Sequence, residues 1–318
     1  MAEIGIFLAS EEHGPAGLVS QAREAERSGF RSVLISDHYH PWLDAQGESP
    51  FVWSVIGAIA ASTDLRVTTG VTCPIMRIHP AVLAQAAATS AMLLEGRFVF
   101  GVGSGEALNE HILGDRWPPV SVRLEMLEEA VSVIRQLWDG RPVNHHGRYY
   151  TVENARLYSV PDQPPPITVS AFGPRALSVA ARIGDGFITT QPDAAVVRRY
   201  RELGGRGPTV AAVKVCWDPD EAHARKLAHT LWATELLPGQ VNQELVTPAH
   251  FAQVAKLVSE QEVSEVISCG PDPGRHAEAI GAYLEAGFDE VYVNQIGNDQ
   301  TGFLRAFERE IRPRLRAA

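Results

Sequence analysis

Residues 98–110 read Phe98-Val99-Phe100-Gly101-Val102-Gly103-Ser104-Gly105-Glu106-Ala107-Leu108-Asn109-Glu110. The run Phe98–Val102 is apolar with no polar alternation, which is expected of a parallel strand covered on both faces. The glycines after it are spaced G-x-G-x-G, not the G-x-G-x-x-G of a dinucleotide fingerprint. They also follow the fourth strand rather than the first. Both facts count against a nicotinamide site on an open sheet.

Working outward, the same kind of run recurs at Ile4–Leu8, Ser32–Ile35, Arg66–Val71, Ile167–Ser170, Gly186–Thr189, Ala211–Cys216 and Glu290–Asn294. Amphipathic stretches such as Leu18–Ser28, Val82–Leu94, Leu124–Trp138 and His276–Ala286 lie between them. Gly29, Gly96, Gly184 and Gly287 fall just past helix ends, where a left-handed cap suits glycine. Eight strand–helix units in series predict one closed (β/α)8 TIM barrel over residues 1–318, with an open doubly wound sheet as the alternative. Two segments break the rhythm. Asn144 to Gln163 reads as a β-excursion before the fifth strand. Pro238 to Lys256 reads as an inserted loop and extra helix between the seventh and eighth strands.

Composition narrows the function. The 318 residues are 45% hydrophobic and 21% charged, with a formal net charge of −10 and no basic run. This argues against nucleic acid or an anionic membrane as partner. Cys73, Cys216 and Cys269 include no C-x-x-C pair, so neither a zinc knuckle nor a disulfide framework is supported. The start Met1-Ala2-Glu3, then the short apolar run from Ile4 to Ala9, has no basic leader, and a cytoplasmic protein is expected.

A barrel of this kind builds its active site from the loops at the C-terminal ends of its strands. Behind strand two stand Ser36-Asp37-His38-Tyr39-His40-Pro41-Trp42, and behind strand three Thr72-Cys73-Pro74. Behind strand four come Gly103 to Glu110, behind strand five Ala171-Phe172-Gly173-Pro174, and behind strand six Thr190-Gln191. Asp37-His38 offers a general base, or merely caps its loop. The strand-four glycines let a flat cofactor approach the backbone, or simply close a tight turn. Phe172-Gly173-Pro174 opens a helix whose N-terminus suits a phosphate, or is an ordinary turn. Trp42 flanks a ring system or packs, and packing is the reading for the other tryptophans. His38-x-His40 suggests a metal pair, but Ala171, Phe172, Thr189 and Thr190 supply no further ligands, so no metal is expected.

Four blocks make the chain similar to a known group: Ser36 to Trp42, Arg77-Ile78-His79-Pro80-Ala81-Val82, Gly101 to Glu110, and Gly184-Asp185-Gly186-Phe187-Ile188. It resembles the luciferase-like hydride-transferase superfamily and, within it, the coenzyme F420-dependent glucose-6-phosphate dehydrogenase family. That resemblance implies a homodimeric barrel with an 8-hydroxy-5-deazaflavin in its mouth, and an oxidoreductase moving hydride between the deazaflavin and a small alcohol or carbonyl. It also implies His38 as acid/base, Glu106 as second proton-transfer group and Trp42 beside the reacting centre. Asp37, Ser104, Gly105, Asn109, Phe172, Gly173, Arg175 and Ala176 would contact the cofactor. Gly70–Val71 would be a non-prolyl cis bulge against the ring, and Cys73 stands where the glucose-6-phosphate enzymes have a cofactor-contacting threonine. An FMN-dependent monooxygenase of the same superfamily is the alternative, and a non-catalytic cofactor-binding protein is the third reading.

The substrate is where the resemblance departs. Asp193, Gln253 and Val266 occupy the positions of the two lysines and the arginine that hold the sugar phosphate in that family, and Thr190 alone persists. A carboxylate in place of a cation repels a phosphate, so glucose 6-phosphate is not the expected substrate, unless Lys214 or Lys256 replaces the lost charge.

Overall fold

The computed structural model describes residues 2–315. Among the described residues eleven strands occur in chain order: β1 (Glu3–Leu8), β2 (Ser32–Ile35), β3 (Arg66–Thr69), β4 (Phe98–Val102), β5 (Val143–His146), β6 (Thr151–Ala155), β7 (Ile167–Ser170), β8 (Gly186–Thr189), β9 (Thr209–Cys216), β10 (Ser268–Cys269) and β11 (Glu290–Gln295). Eight of them form a ring in the order β1-β2-β3-β4-β7-β8-β9-β11, and β11 returns to β1. All of these pairings are parallel. The ring is the closed barrel that the eight apolar runs predict, and its closure excludes the doubly wound sheet.

The absence of polar alternation has a direct cause. Val33 and Ile35 of β2 pack outward with Val67, Phe98, Phe100, Ile167 and Val169 beneath the helices. Leu34, between them, points inward to meet Ile188, Val210 and Tyr292. Both faces are apolar because both are buried, and a fully buried aliphatic side chain contributes about 1.5–3 kcal/mol.

The two irregular segments fold as follows. β5 and β6 make an antiparallel hairpin before β7, anchored where Glu129 accepts from the backbone N–H of Tyr150 at 2.9 Å and Tyr150 donates its hydroxyl to Ile75 O at 2.9 Å. The later insertion forms two short helices, Val241–Glu244 and Pro248–Ala255, where one is expected from the sequence. The two-residue strand β10, beside β9, is also not expected.

Gly29, Gly96 and Gly287 take positive φ at their helix ends. Gly184 does not: its φ is −90°, and it is required for space instead, since a Cβ there would lie 2.7 Å from Gly186 O and 2.8 Å from Ala180 O. The third strand ends at Thr69 rather than Val71 because the Gly70–Val71 peptide is cis; pairing resumes as one bridge between Thr72 and Val102. Among the described residues no helix is long and apolar enough to cross a membrane.

Candidate active site

His38 stands just past β2 and is held from several sides. Its Nε2 lies 3.3 Å from Glu11 Oε1 and 3.5 Å from Glu106 Oε1. Glu11 is buried at 2% exposure, whereas Glu106 keeps 23%. Ser36 donates to Glu11 Oε2 at 2.6 Å, and Ser36 is in turn tied to Ser10. On the other side of the ring, Nδ1 is 3.0 Å from Asn109 Nδ2 and 3.2 Å from His40 O. Asn109 has a fixed orientation: its Oδ1 accepts from the backbone N–H groups of Tyr39 and His40, and its Nδ2 donates to Glu106 at 2.8 Å. Nδ1 has both a donor, Asn109 Nδ2, and an acceptor, His40 O, within reach, whereas Nε2 faces two carboxylates that accept a hydrogen bond when it carries the proton.

Trp42 closes one side of His38, with ring centroids 5.0 Å apart. It meets Phe251 of the insertion edge-on at 5.1 Å. Gln46 fixes the Trp42 backbone and reaches on to Leu231 O. The inserted segment therefore forms a wall of the mouth.

Asp37 has a different place from the one the sequence suggests. Its carboxylate does not pair with His38; it accepts from Thr72 Oγ1 at 2.7 Å and from Arg77 Nη2 at 2.8 Å, and it is buried. The carboxylates facing the His38 ring are Glu11 and Glu106. Cys73 is buried beneath Gly105, and burial pushes its thiol well up, as for a packing residue.

The strand-four glycines also serve another end than direct approach to a ligand. A Cβ on Gly103 would lie 2.8 Å from Val71 Cγ2, and Gly101 faces the same side chain and Thr69 O. They make room for the bulge at Gly70–Val71. Val71 in turn joins Phe7 and Ala212 as the half-buried top of the inner layer containing Leu34, Ile188, Val210 and Tyr292. That layer is an apolar floor suited to a flat ring. Gly105 takes φ +68° in the loop that also holds half-buried Ser104.

Phe172, Gly173, Pro174 and Arg175 are exposed at the start of the helix Pro174–Ile183. Gly173 offers no side-chain cap, and the space beside it is open. The first turn, including Ala176, thus presents backbone N–H groups with a basic residue beside them, a fit for an anionic group. Each of these three features suits a part of a flat phosphate-bearing cofactor: the apolar layer its ring, the His38 cluster the proton that accompanies its chemistry, and the helix end its phosphate.

On the substrate side, half-buried Thr190 gives its carbonyl to the Tyr283 hydroxyl at 2.7 Å. Asp193 caps the helix Ala194–Glu202 through Ala195 N. Gln253 and Val266 are exposed, as is Lys256. Lys214 is committed to Glu235 at 2.7 Å and lies 4.4 Å over the Trp232 ring, so its charge is neutralised. Among the described residues, no group of three or more His, Cys, Asp and Glu side chains is placed to hold a metal ion.

Glu11 is the residue that reading the ends of strands two to six misses. A signal existed: the residues after strand one, Ala9-Ser10-Glu11-Glu12-His13, bring two carboxylates to the same barrel end.

A barrel with this mouth is one that many oxidoreductases share, and comparison assigns it: the chain belongs to the luciferase-like monooxygenase family, whose sequence profile matches residues 2–290. Within that family it is similar to the F420-dependent glucose-6-phosphate dehydrogenases. It is 38% identical to the one from Nakamurella multipartita, over 98% of this chain and 96% of that protein. The identity to the one from Microbacterium testaceum is 36%, over 98% and 97%. Among solved structures it is similar to an F420-dependent secondary alcohol dehydrogenase in complex with an F420–acetone adduct, with a TM-score of 0.91 and 31% identity over 99% of both chains.

Proposed function

We propose that this protein is a coenzyme F420-dependent dehydrogenase or carbonyl reductase acting on a small, neutral alcohol or carbonyl compound. The observation that carries it is His38 Nε2 within reach of both Glu11 and Glu106 at the C-terminal ends of the barrel strands. Similarity supports the cofactor: the relatives named above, each more than 30% identical, are F420 enzymes, which favours the deazaflavin over FMN.

The bound deazaflavin supplies a hydride acceptor or donor. The rest falls to the chain. Phe7, Val71 and Ala212 seat the flat ring, and Arg175 with the N–H groups of the first helical turn holds the anionic part. His38 Nε2 takes the substrate hydroxyl proton in oxidation and returns it in reduction. Glu11 steadies the charged ring, and Glu106, which keeps contact with solvent, carries the proton onward. Trp42 and Phe251 keep water from the reacting carbon. Neutrality of the substrate follows from the Lys214–Glu235 pair and from Asp193 at the former phosphate position.

The protein acts as a homodimer in this reading. Phe51, Val82, Met92 and Leu93 are exposed on or beside the helices Val52–Ala60 and Pro80–Leu93, with polar Gln85 and Thr89 among them, and a second copy would cover these apolar side chains.

The test is a panel of alcohols, ketones, sugars and sugar phosphates assayed by ring absorbance with oxidised and reduced F420, and in parallel with reduced FMN and oxygen. Turnover of a small neutral alcohol or ketone with F420 is expected. Glucose 6-phosphate turned over at micromolar KM, or activity with FMN and oxygen alone, would overturn the proposal.

A further inference from the structure

The block Arg77-Ile78-His79-Pro80 has no part in the chemistry above, yet Arg77 is one of the most fully engaged side chains near the mouth. Its Nη2 donates to Asp37 Oδ1 at 2.8 Å. Its backbone N–H donates to Glu110 Oε2 at 2.7 Å. Its Nε faces Glu110 Oε1 at 3.6 Å, and neither of those two buried atoms has a hydrogen-bond partner. The side chains of Arg77, Asp37 and Glu110 are 6%, 1% and 1% exposed. Thr72 takes the remaining Asp37 oxygen.

The position of the two carboxylates in the chain gives this cluster its meaning. Asp37 immediately precedes His38. Glu110 immediately follows Asn109, whose amide spans His38 and Glu106. One guanidinium therefore joins the strand-two loop to the short helix Ala107–Glu110 without touching either proton-transfer group. The planar fork of arginine can serve two carboxylates at once, which the point charge of a lysine does less well. Removing it leaves the Asp37 carboxylate and the Glu110 carboxyl buried without the cation they share.

We propose that Arg77 is a positioning residue: by clamping Asp37 to Glu110 it sets the separation of His38 from Asn109 and Glu106, and through that the rate of proton transfer. The proposal rests on the functional reading above for its kinetic consequence, but its geometric consequence stands apart from that reading.

The experiment compares Arg77→Met, Arg77→Lys, Glu110→Gln and the double variant Arg77→Met/His38→Ala. A misplacement of about 1 Å costs on the order of 10²-fold in rate, and that loss of kcat is expected for Arg77→Met. KM for the alcohol, and the affinity for F420 measured by ring fluorescence, should stay near the values of the unmodified enzyme. Arg77→Lys should restore part of the loss, and the double variant should be no slower than His38→Ala alone. A crystal structure of cofactor-free Arg77→Met should show His38 and Glu106 drawn apart beyond their present 3.5 Å.

Additive losses in the double variant, an unchanged kcat, or an unmoved His38–Glu106 pair would each overturn the proposal. Should Arg77→Met fail to fold, Glu110→Gln takes its place. It keeps an acceptor for the Arg77 backbone N–H but sets an amide NH2 against Nε, so a smaller fall in kcat at constant KM is expected, and no fall would overturn the clamp. If the unmodified enzyme turns over no alcohol with F420, the functional reading has failed, and the crystallographic comparison decides the clamp by itself.

Discussion

Glu11 Oε1 lies 3.3 Å from His38 Nε2, while Ser36 holds the other oxygen of the same carboxylate at 2.6 Å. A buried carboxylate fixed in this way both orients the imidazole and compensates its charge when it gains a proton. Glu11→Gln preserves the shape and removes the charge. Loss of a supporting group in acid/base catalysis is expected to lower kcat by about 10²-fold, with KM for the alcohol little changed. Steady-state kinetics with F420 check this, and an undiminished kcat would remove Glu11 from the mechanism.

Asn109 is the hub between two loops, and Asn109→Leu should cost both stability and rate. The half-buried Tyr39 and His40 N–H groups would lose their shared acceptor, at about 1 kcal/mol for each bond lost. Calorimetry should show a Tm lower by several degrees. Asn109→Asp, which sets a carboxylate against Glu106 Oε1, should cost more in kcat than Asn109→Leu does.

Glu12 gives the protein a pH dependence of stability. It accepts from Trp232 Nε1 at 2.5 Å and from Gly297 N at 2.8 Å, and burial, only partly opposed by those bonds, raises its carboxyl to about 7. Glu110 is raised to about 7 by burial as well. In each case the folded value lies above the ordinary carboxylate value, so the folded protein binds the extra proton. Their stabilisation is complete below the ordinary range and is lost as pH rises through about 7, at no more than about 1.4 kcal/mol per pH unit for each group. His13, lowered by burial to about 4, and His276, also lowered by burial, contribute the opposite slope below the ordinary histidine value, so the test is a difference. In thermal melts from pH 5 to 8 the Tm of Glu12→Gln should rise relative to that of the unmodified protein as pH increases. A difference that does not change with pH, or that falls, would contradict the assignment.

Releasing Lys214 should change what the pocket tolerates. Glu235→Leu removes the partner that neutralises it while leaving the ammonium over Trp232. Inorganic phosphate should then inhibit alcohol oxidation competitively at concentrations that do not affect the unmodified enzyme. Equal inhibition of both proteins would place Lys214 away from the substrate.

The barrel was open to reading because its signal is local and repeated. Runs such as Phe98–Val102 are apolar on both faces, and only a strand between two buried layers requires that. Strand β10 has two residues and no such run, so it exists only through its pairing with Cys216 and its neighbour. Gly184 shows a related limit: the sequence marks a glycine at a helix end, but whether φ or space demands it depends on Gly186 O, a contact set by the fold. At the site, the residue types behind β2 and β4 were visible, and their partners were not. Asp37 beside His38 suggests a pair, yet successive residues point in different directions, and the carboxylates that reach the ring come from Glu11, 27 positions earlier, and from Glu106, two strands along the ring. Adjacency in the chain is a poor guide to adjacency at a barrel mouth, where loops from β1, β2 and β4, strands within one half of the ring, meet at His38.

The seam between β1 and β11, registered from Glu3 against Glu290 to Ile6 against Val293, has a bearing on biosynthesis. Of the ring strands β1 is made before all the others and β11 after them all, so the hoop cannot shut until β11 has left the ribosome. Until then the nascent chain displays raw strand edges to its surroundings, the condition under which chaperones are recruited and crowded translation leads to clumping.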